Sequence, residues 1–162
     1  DNSPREALQQ AFGRMEEELQ ASCAARHDSS GTCALVALLR ERRLYLASVG
    51  DCRALLLHSH HAHYTQLTVE QRATEQSEQQ RIKQEGGEVV NGRVGGALIP
   101  SRTLGDFALK AKGGLSCTPS LVEREISADD RYLILGSDGF FDVLSNKMIA
   151  KYLCKEKAGV CC

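Results

Sequence analysis

Three aspartates stand at the ends of apolar runs beside small residues: Asp51 in VGDCRA, and Asp138 and Asp142 in LILGSDGFFDVLSN. A carboxylate just past a buried strand is held by the sheet yet points to its rim, as a hard cation such as Mg²⁺ or Mn²⁺ requires of oxygen ligands. Gly50 and Gly139 would let the backbone turn tightly or come close to a bound water. Asp138 and Asp142 are four apart, so one helical turn would aim both at the same point. The competing reading is turn chemistry, since an Asp beside Gly commonly bonds its own backbone. Spacing alone does not choose between them.

Other candidates read more blandly. His58, His60, His61 and His63 could chelate Zn²⁺, but with Ser59 and Ala62 between them in a hairpin loop they read as a solvated cluster. The pairs Gly86-Gly87, Gly95-Gly96 and Gly113-Gly114 match neither a P-loop nor a dinucleotide fingerprint. Seven cysteines (Cys23, Cys33, Cys52, Cys117, Cys154, Cys161 and Cys162) are odd in number and include no CxxC pair. Reduced thiols fit better than a disulfide framework or a zinc ribbon, and the charge of Asp51 would disfavour a thiolate at Cys52. Cys161-Cys162 forms no CaaX signal.

The elements that must position the acids follow from periodicity. Ser3, Pro4 and Glu6 form a helix start with a capping box, and Leu8, Ala11, Phe12, Met15 and Leu19 recur at helical spacing, predicting an amphipathic helix over 4–24. A short apolar run at 32–39 reads as a buried strand. Two more strands, 44–49 and 53–57, are separated only by Gly50, Asp51 and Cys52, which predicts an antiparallel meander with an acid at the bend. Residues 64–69 read as a returning strand. The Gln-rich segment 74–85, stopped by Gly86-Gly87, predicts a short exposed helix. Asn91-Gly92 predicts a tight hairpin between Val89-Val90 and Arg93-Val94. Residues 95–119 are irregular and Gly-rich, expected as a long functional or mobile loop. A strand around 122–126, a turn at Asp129-Asp130, an apolar strand at 131–136 and a final helix capped by Ser145 complete an α+β domain of antiparallel sheets.

Composition sets the outer bounds. With 162 residues, 42% hydrophobic and 25% charged, the chain has the size and make-up of one packed domain. Lys plus Arg (20) against Asp plus Glu (21) gives a net charge of −1, without the basic footprint of a nucleic-acid binder. The longest mainly apolar stretch without a charge, 29–39, is about half of what a membrane span needs. A cytoplasmic or nuclear monomer is expected. The first residue is Asp1 rather than Met, so an excerpt of a longer chain is expected too.

Taken in order, SSGTCALVAL, LYLASVGDCRALLL, RIKQEGGEVVNGRVGGALIPSRTLGD, CTPSLVEREI and DRYLILGSDGFFDVLSN resemble the metal-dependent protein phosphatases, the type-2C serine/threonine phosphatases. The resemblance runs from about Ala7 to Tyr152. It implies a layered α/β/β/α sandwich and hydrolysis of phosphoserine and phosphothreonine in protein substrates by a water held between two Mg²⁺ or Mn²⁺ ions. Two cations would acidify that water, neutralise the phosphoryl oxygens and hold the groups in line. By motif, Asp138 corresponds to a ligand of the core metal pair, with Gly139 beside it. Asp51 and Asp142 correspond to acids that help hold a further, weaker metal. Ser101, Arg102, Gly105 and Asp106 of SRTLGD fall in a motif near the flap, where a structural role for Asp106 is at least as well founded as a catalytic one.

The departures are equally specific. The family's Asp-Gly-His-Gly and late Asp-Asn motifs are absent, Asp1-Asn2 having the right letters in the wrong place; the upstream acid and phosphate-gripping Arg are also absent. The usual Asp-His-Lys-Pro stretch reads Glu70-Gln71-Arg72-Ala73, and the usual Ser of Gly-Asp-Ser-Arg is Cys52. Two readings follow: the middle and late part of an active phosphatase catalytic domain spanning 1–162, with little turnover from this chain alone, or an inactive pseudophosphatase acting as an interaction scaffold. Retention of three like charges favours the first, since a scaffold has no electrostatic reason to keep them converging without a cation.

Overall fold

The computed structural model describes residues 3–59 and 63–155. Asp1-Asn2, His60, His61, Ala62 and the Cys161-Cys162 pair lie outside the described residues. Helix α1 (Pro4–Arg26) begins with the expected reciprocal cap: Glu6 N donates to Ser3 Oγ at 3.3 Å, and Ser3 N donates to Glu6 Oε2 at 3.0 Å. It runs two residues past the predicted end and stops where His27 turns left-handed. Strands β1 (Gly31–Thr32), β2 (Ala34–Arg40), β3 (Arg43–Val49), β4 (Arg53–His58) and β5 (Tyr64–Gln66) follow, then α2 (Gln76–Gln84), β6 (Val89–Val90), β7 (Arg93–Val94), β8 (Leu104–Gly105) and α3 (Phe107–Lys110). The chain continues through β9 (Ser120–Glu125), β10 (Asp130–Gly136), α4 (Asp138–Phe141) and α5 (Asn146–Lys155).

Two three-stranded antiparallel sheets, β2-β3-β9 and β10-β4-β5, form the centre, with two-stranded ladders β1-β8 and β6-β7 beside them. The predicted meander of β3 into β4 is not what forms. The two strands belong to different sheets, and Gly50-Asp51-Cys52 carries the chain across from one to the other. Period-two alternation explains why. Leu44 and Leu46 of β3 and Ala54 of β4 share one core with Leu35, Ala37, Leu67, Val122 and Ile126, between the sheets. The opposite face of β3, with Ala47 and Val49, packs under Phe12, Leu8 and Leu19 of α1. The opposite face of β4, with Leu55 and Leu57, packs under Phe141, Ile149 and Ala150. Both strands are buried on both faces and therefore read as unbroken apolar runs; each fully buried Leu contributes roughly 2 kcal/mol. The result is the expected α/β/β/α layering.

Other expectations are corrected. β2 is not the expected buried strand: Leu39 is 62% exposed, and Val36 and Leu38 also face solvent in part, as do Tyr132 and Leu135 of the apolar β10. The returning strand at 64–69 is only Tyr64–Gln66. Helix α2 is polar but not a purely solvated face, since Ile82 and Glu78 are both buried. The 95–119 segment contains β8 and α3, and Ser101, Thr103 and Leu104 within it are buried. The Asn91-Gly92 hairpin forms as predicted, with φ of 52° and 73° at its two turn residues.

Candidate active site

Strand register builds one rim. Pairing of Ala34 with Val49 brings Cys33 to the end of β3, and pairing of Gly136 with Arg53 brings the end of β10 to the start of β4. Asp51 leaves the first of these ends and Asp138 the second. Gly50 makes the crossing possible: its φ is +94°, and a Cβ there would lie 2.2 Å from Cys33 Sγ. Gln71, itself buried, staples the bend. Its Oε1 accepts from Gly50 N at 2.7 Å, its Nε2 donates to Ser48 O and Ser120 Oγ, and its backbone N donates to Gly50 O.

Asp51 is nearly buried. Its Oδ1 accepts from Cys33 Sγ at 3.5 Å, and its Oδ2 lies 3.5 Å from Arg72 Nε. Burial, then the charge of Asp51, pushes the Cys33 thiol up to about 12, so it stays a protonated donor. Burial and the charges of Asp51 and Asp138 raise the Cys52 thiol as well, agreeing with the expected disfavoured thiolate. Cys23 and Cys117 are also free.

Asp138 opens the single turn of α4, and Asp142 ends it, donating its N–H to Asp138 O at 2.7 Å. The two acids therefore do lie one helical turn apart. Asp138 Oδ1 accepts from Gly139 N at 2.7 Å, the local turn contact that competes with ligation. Asp142 is exposed, its Oδ1 4.0 Å from a terminal nitrogen of Arg72. Arg72 also lies 3.1 Å from Glu70 Oε2, and Glu70 is gripped by Arg53 through Nε and a terminal nitrogen. Arg53 in turn donates to Asn146 Oδ1 and lies over the Phe141 ring, tying the rim to α4 and α5. The stretch that departs from the expected Asp-His-Lys-Pro thus supplies a basic and an acidic group to the rim. Its sequence signal was the departure itself.

The SRTLGD residues lie behind this rim. The Arg102 carbonyl approaches Gly50, but the Arg102 guanidinium and the Ser101 hydroxyl both donate to Glu78. Gly105 pairs with Gly31 in the β1-β8 ladder and donates its N–H to Glu16 Oε2, and Asp106, left-handed at φ 53°, donates its N–H to Ser30 O. Their contacts hold the loop to α1 and α2. Of the histidine loop, His58 is held between Asp130 Oδ1 and Thr65 Oγ1, each at 2.8 Å, rather than offered to a metal.

The acids at the rim have the right donor chemistry for Mg²⁺ or Mn²⁺. Their arrangement does not fit one. Among the described residues no group of three or more His, Cys, Asp or Glu could hold a metal ion, and two of the three candidate acids face the Arg72 guanidinium.

The profile of the family described as "Protein phosphatase 2C" matches residues 1–156. "Probable protein phosphatase 2C 27" of Arabidopsis thaliana is 35% identical over 94% of this chain and 40% of its own length. "Probable protein phosphatase 1N" of Homo sapiens is 35% identical over 90% of this chain and 35% of its own. The chain thus spans about two fifths or less of these curated relatives. In fold it is similar to a C. elegans sex-determining protein (TM-score 0.84, 22% identity, 93% of this chain and 38% of that one) and to serine-threonine phosphatase 2C from Toxoplasma gondii (TM-score 0.79, 21% identity, 95% and 57%). With a family match over nearly its whole length, the chain belongs to the protein phosphatase 2C family.

Proposed function

We propose that this chain is the middle and late part, over 1–162, of the catalytic domain of a metal-dependent protein serine/threonine phosphatase acting on phosphoserine and phosphothreonine in protein substrates. The observation that carries the reading is the convergence of Asp51 and Asp142 on one rim around Arg72, with Asp138 one helical turn before Asp142. The family resemblance implies Mg²⁺ or Mn²⁺, which would supply charge neutralisation and an acidified water; the acids among the described residues do not by themselves form a site for either ion. The residues in hand fix the acids: Gly50 and Gln71 set the bend, Cys33 orients Asp51, and Arg53 locks the rim onto α4 and α5.

A scaffold reading is favoured by one specific observation. The Arg72 guanidinium supplies a positive charge among the acids, so their retention no longer requires a metal. Hydrolysis of a phosphothreonine peptide by the intact protein in Mn²⁺ separates the two. The expected result is turnover that disappears with Asp138→Asn; no turnover in the unmutated protein favours the scaffold, and turnover unchanged by the substitution removes Asp138 from its role.

A further inference from the structure

We propose that the free edge of β10 is the docking surface of an added β-strand, apolar on both faces, supplied by the part of the protein outside 1–162. The inference rests on the phosphatase reading in taking the chain as part of a larger domain.

The four sheet edges are built in two ways. One sheet ends in β5, only three residues long, and the other in β9, where Glu123, Arg124 and Glu125 follow one another. Short and charged edges are how a sheet avoids further pairing. The opposite edges, β2 and β10, are each seven residues long, and one groove is lined by Ala37 and Leu39 of β2 together with Leu133 of β10. Tyr132 to Gly136 carries no charge and no proline, and the one register shift of β10 against β4 lies before Tyr132. Among the described residues no strand pairs with the outer edge of β10. It lacks the protection that β5 and β9 have.

Register fixes what the added strand must look like. Leu133 and Leu135 pair with Leu56 and Ala54 and so face between the sheets, yet they are 37% and 43% exposed. Tyr132 and Ile134 pair with Leu57 and Leu55 and face the other way, where Ile134 joins Phe140, Met148 and Tyr152 around an apolar cleft of about 500 Å³. A strand laid along β10 turns alternate side chains into the groove and into the cleft, so both sets must be apolar. That is the make-up of β3 and β4, which this sandwich buries on both faces. A helix in the same place would leave the β10 backbone groups unpaired.

Length points to the source of the strand. More than half of each curated relative lies outside the part that matches this chain, which is ample to supply it. Gly136 pairs with Arg53 at the rim end of β10, so a strand paired along Tyr132 to Gly136 has one end beside Ser137 and Asp138. Docking there joins the rest of the protein to the candidate site.

The test is amide hydrogen exchange on the intact protein, read at β10 with the central strand β4 as reference. Alternate N–H groups of an edge strand point away from its single neighbour, so an open β10 loses protection at roughly half of its amides. With the added strand in place, all of them should exchange as slowly as those of β4. A half-protected β10 overturns the proposal. Photo-crosslinking then identifies the occupant. Tyr132, already partly exposed, is replaced by p-benzoylphenylalanine, a larger aromatic, and irradiation should join this position to an apolar segment outside 1–162 of the same molecule. Cross-links confined to 1–162 overturn the proposal, and so does a cross-link between two molecules, which makes the occupant a second copy. Neither readout involves hydrolysis. A protein without turnover whose β10 is covered loses the phosphatase reading alone, whereas an active one with an open β10 loses the added strand alone.

Discussion

Two clusters of arginine and carboxylate lie on either side of the Gly50 bend, and they are built differently. Behind it, Glu78 is buried and saturated. Its Oε2 accepts from Ser101 Oγ at 2.6 Å, from two nitrogens of Arg81 and from Arg102 Nε, and its Oε1 accepts from Arg102 at 2.5 Å. Arg81 and Arg102 donate onward to the Ser101 and Thr118 carbonyls. At the rim, Arg72 lies among three acids and makes no hydrogen bond through its buried Nε. The first arrangement fixes one geometry, because every donor has a directed partner. The second brings charges close without a directed bond through the Arg72 Nε. The difference separates a joint that clamps the 95–119 segment to α2 from a rim where Arg72 sits among acids without such a bond.

The largest expected effect comes from breaking the clamp. Glu78→Ala leaves two partly buried guanidinium groups without their common acid, and loss of one partner from such a network costs about 3 to 5 kcal/mol. Urea denaturation should show it as a lower midpoint. A change below about 1 kcal/mol would mean that the Ser101 and Thr118 carbonyls suffice to hold the arginines, and the contrast between the clusters would collapse.

Next in size is a pH effect confined to the same joint. Burial opposes ionisation of Glu78, but hydrogen bonds from Arg102, Ser101 and Arg81 outweigh it and hold the carboxyl at about 2, against an ordinary 4.5. A carboxyl depressed in the folded state gives stability that is complete above pH 4.5 and is lost as pH falls toward 2. At neutral pH that contribution is on the order of 3 kcal/mol. Stability followed through this window should decline with uptake of about one proton attributable to Glu78, and Glu78→Gln should flatten that part of the curve. An identical slope in the variant would assign the acid sensitivity elsewhere, with Asp130, held below its usual range by Ser127, Arg124 and His58 despite burial, as the next carboxyl to test.

How much of this was legible in the residues differs between the two clusters for a physical reason. The candidate acids were visible because Asp51 follows an apolar strand, Asp138 opens a turn just past another and Asp142 lies one turn beyond it, so local pattern and motif mark all three. The strand order was not visible: β3 and β4 are adjacent in sequence and both apolar, and nothing local reveals that the Gly50 bend crosses between sheets. Glu78 was read as one more polar residue of a Gln-rich helix. Its burial depends on Ser101 and Arg102, more than twenty positions away, which only the folded chain brings together. Arg72 lay between these cases. Its position was flagged as a departure from the family stretch, yet its role required knowing that β3, β10 and α4 end at one place.

The smallest expected effect sharpens the comparison most. If Arg72 is held by charge alone in a part-exposed setting, Arg72→Gln should change folding stability by less than about 1 kcal/mol, the range of ion pairs that water can reach. Removing it withdraws attraction to Asp51 but also ends the confinement of a long side chain, and these terms oppose each other. Added salt should weaken what little Arg72 contributes while leaving the Glu78 clamp nearly unaffected, because screening acts on accessible charges and hardly on buried ones. Urea titrations of both variants at low and high ionic strength measure this directly. A loss of several kcal/mol on Arg72→Gln, insensitive to salt, would make the rim a second clamp, built like the one around Glu78.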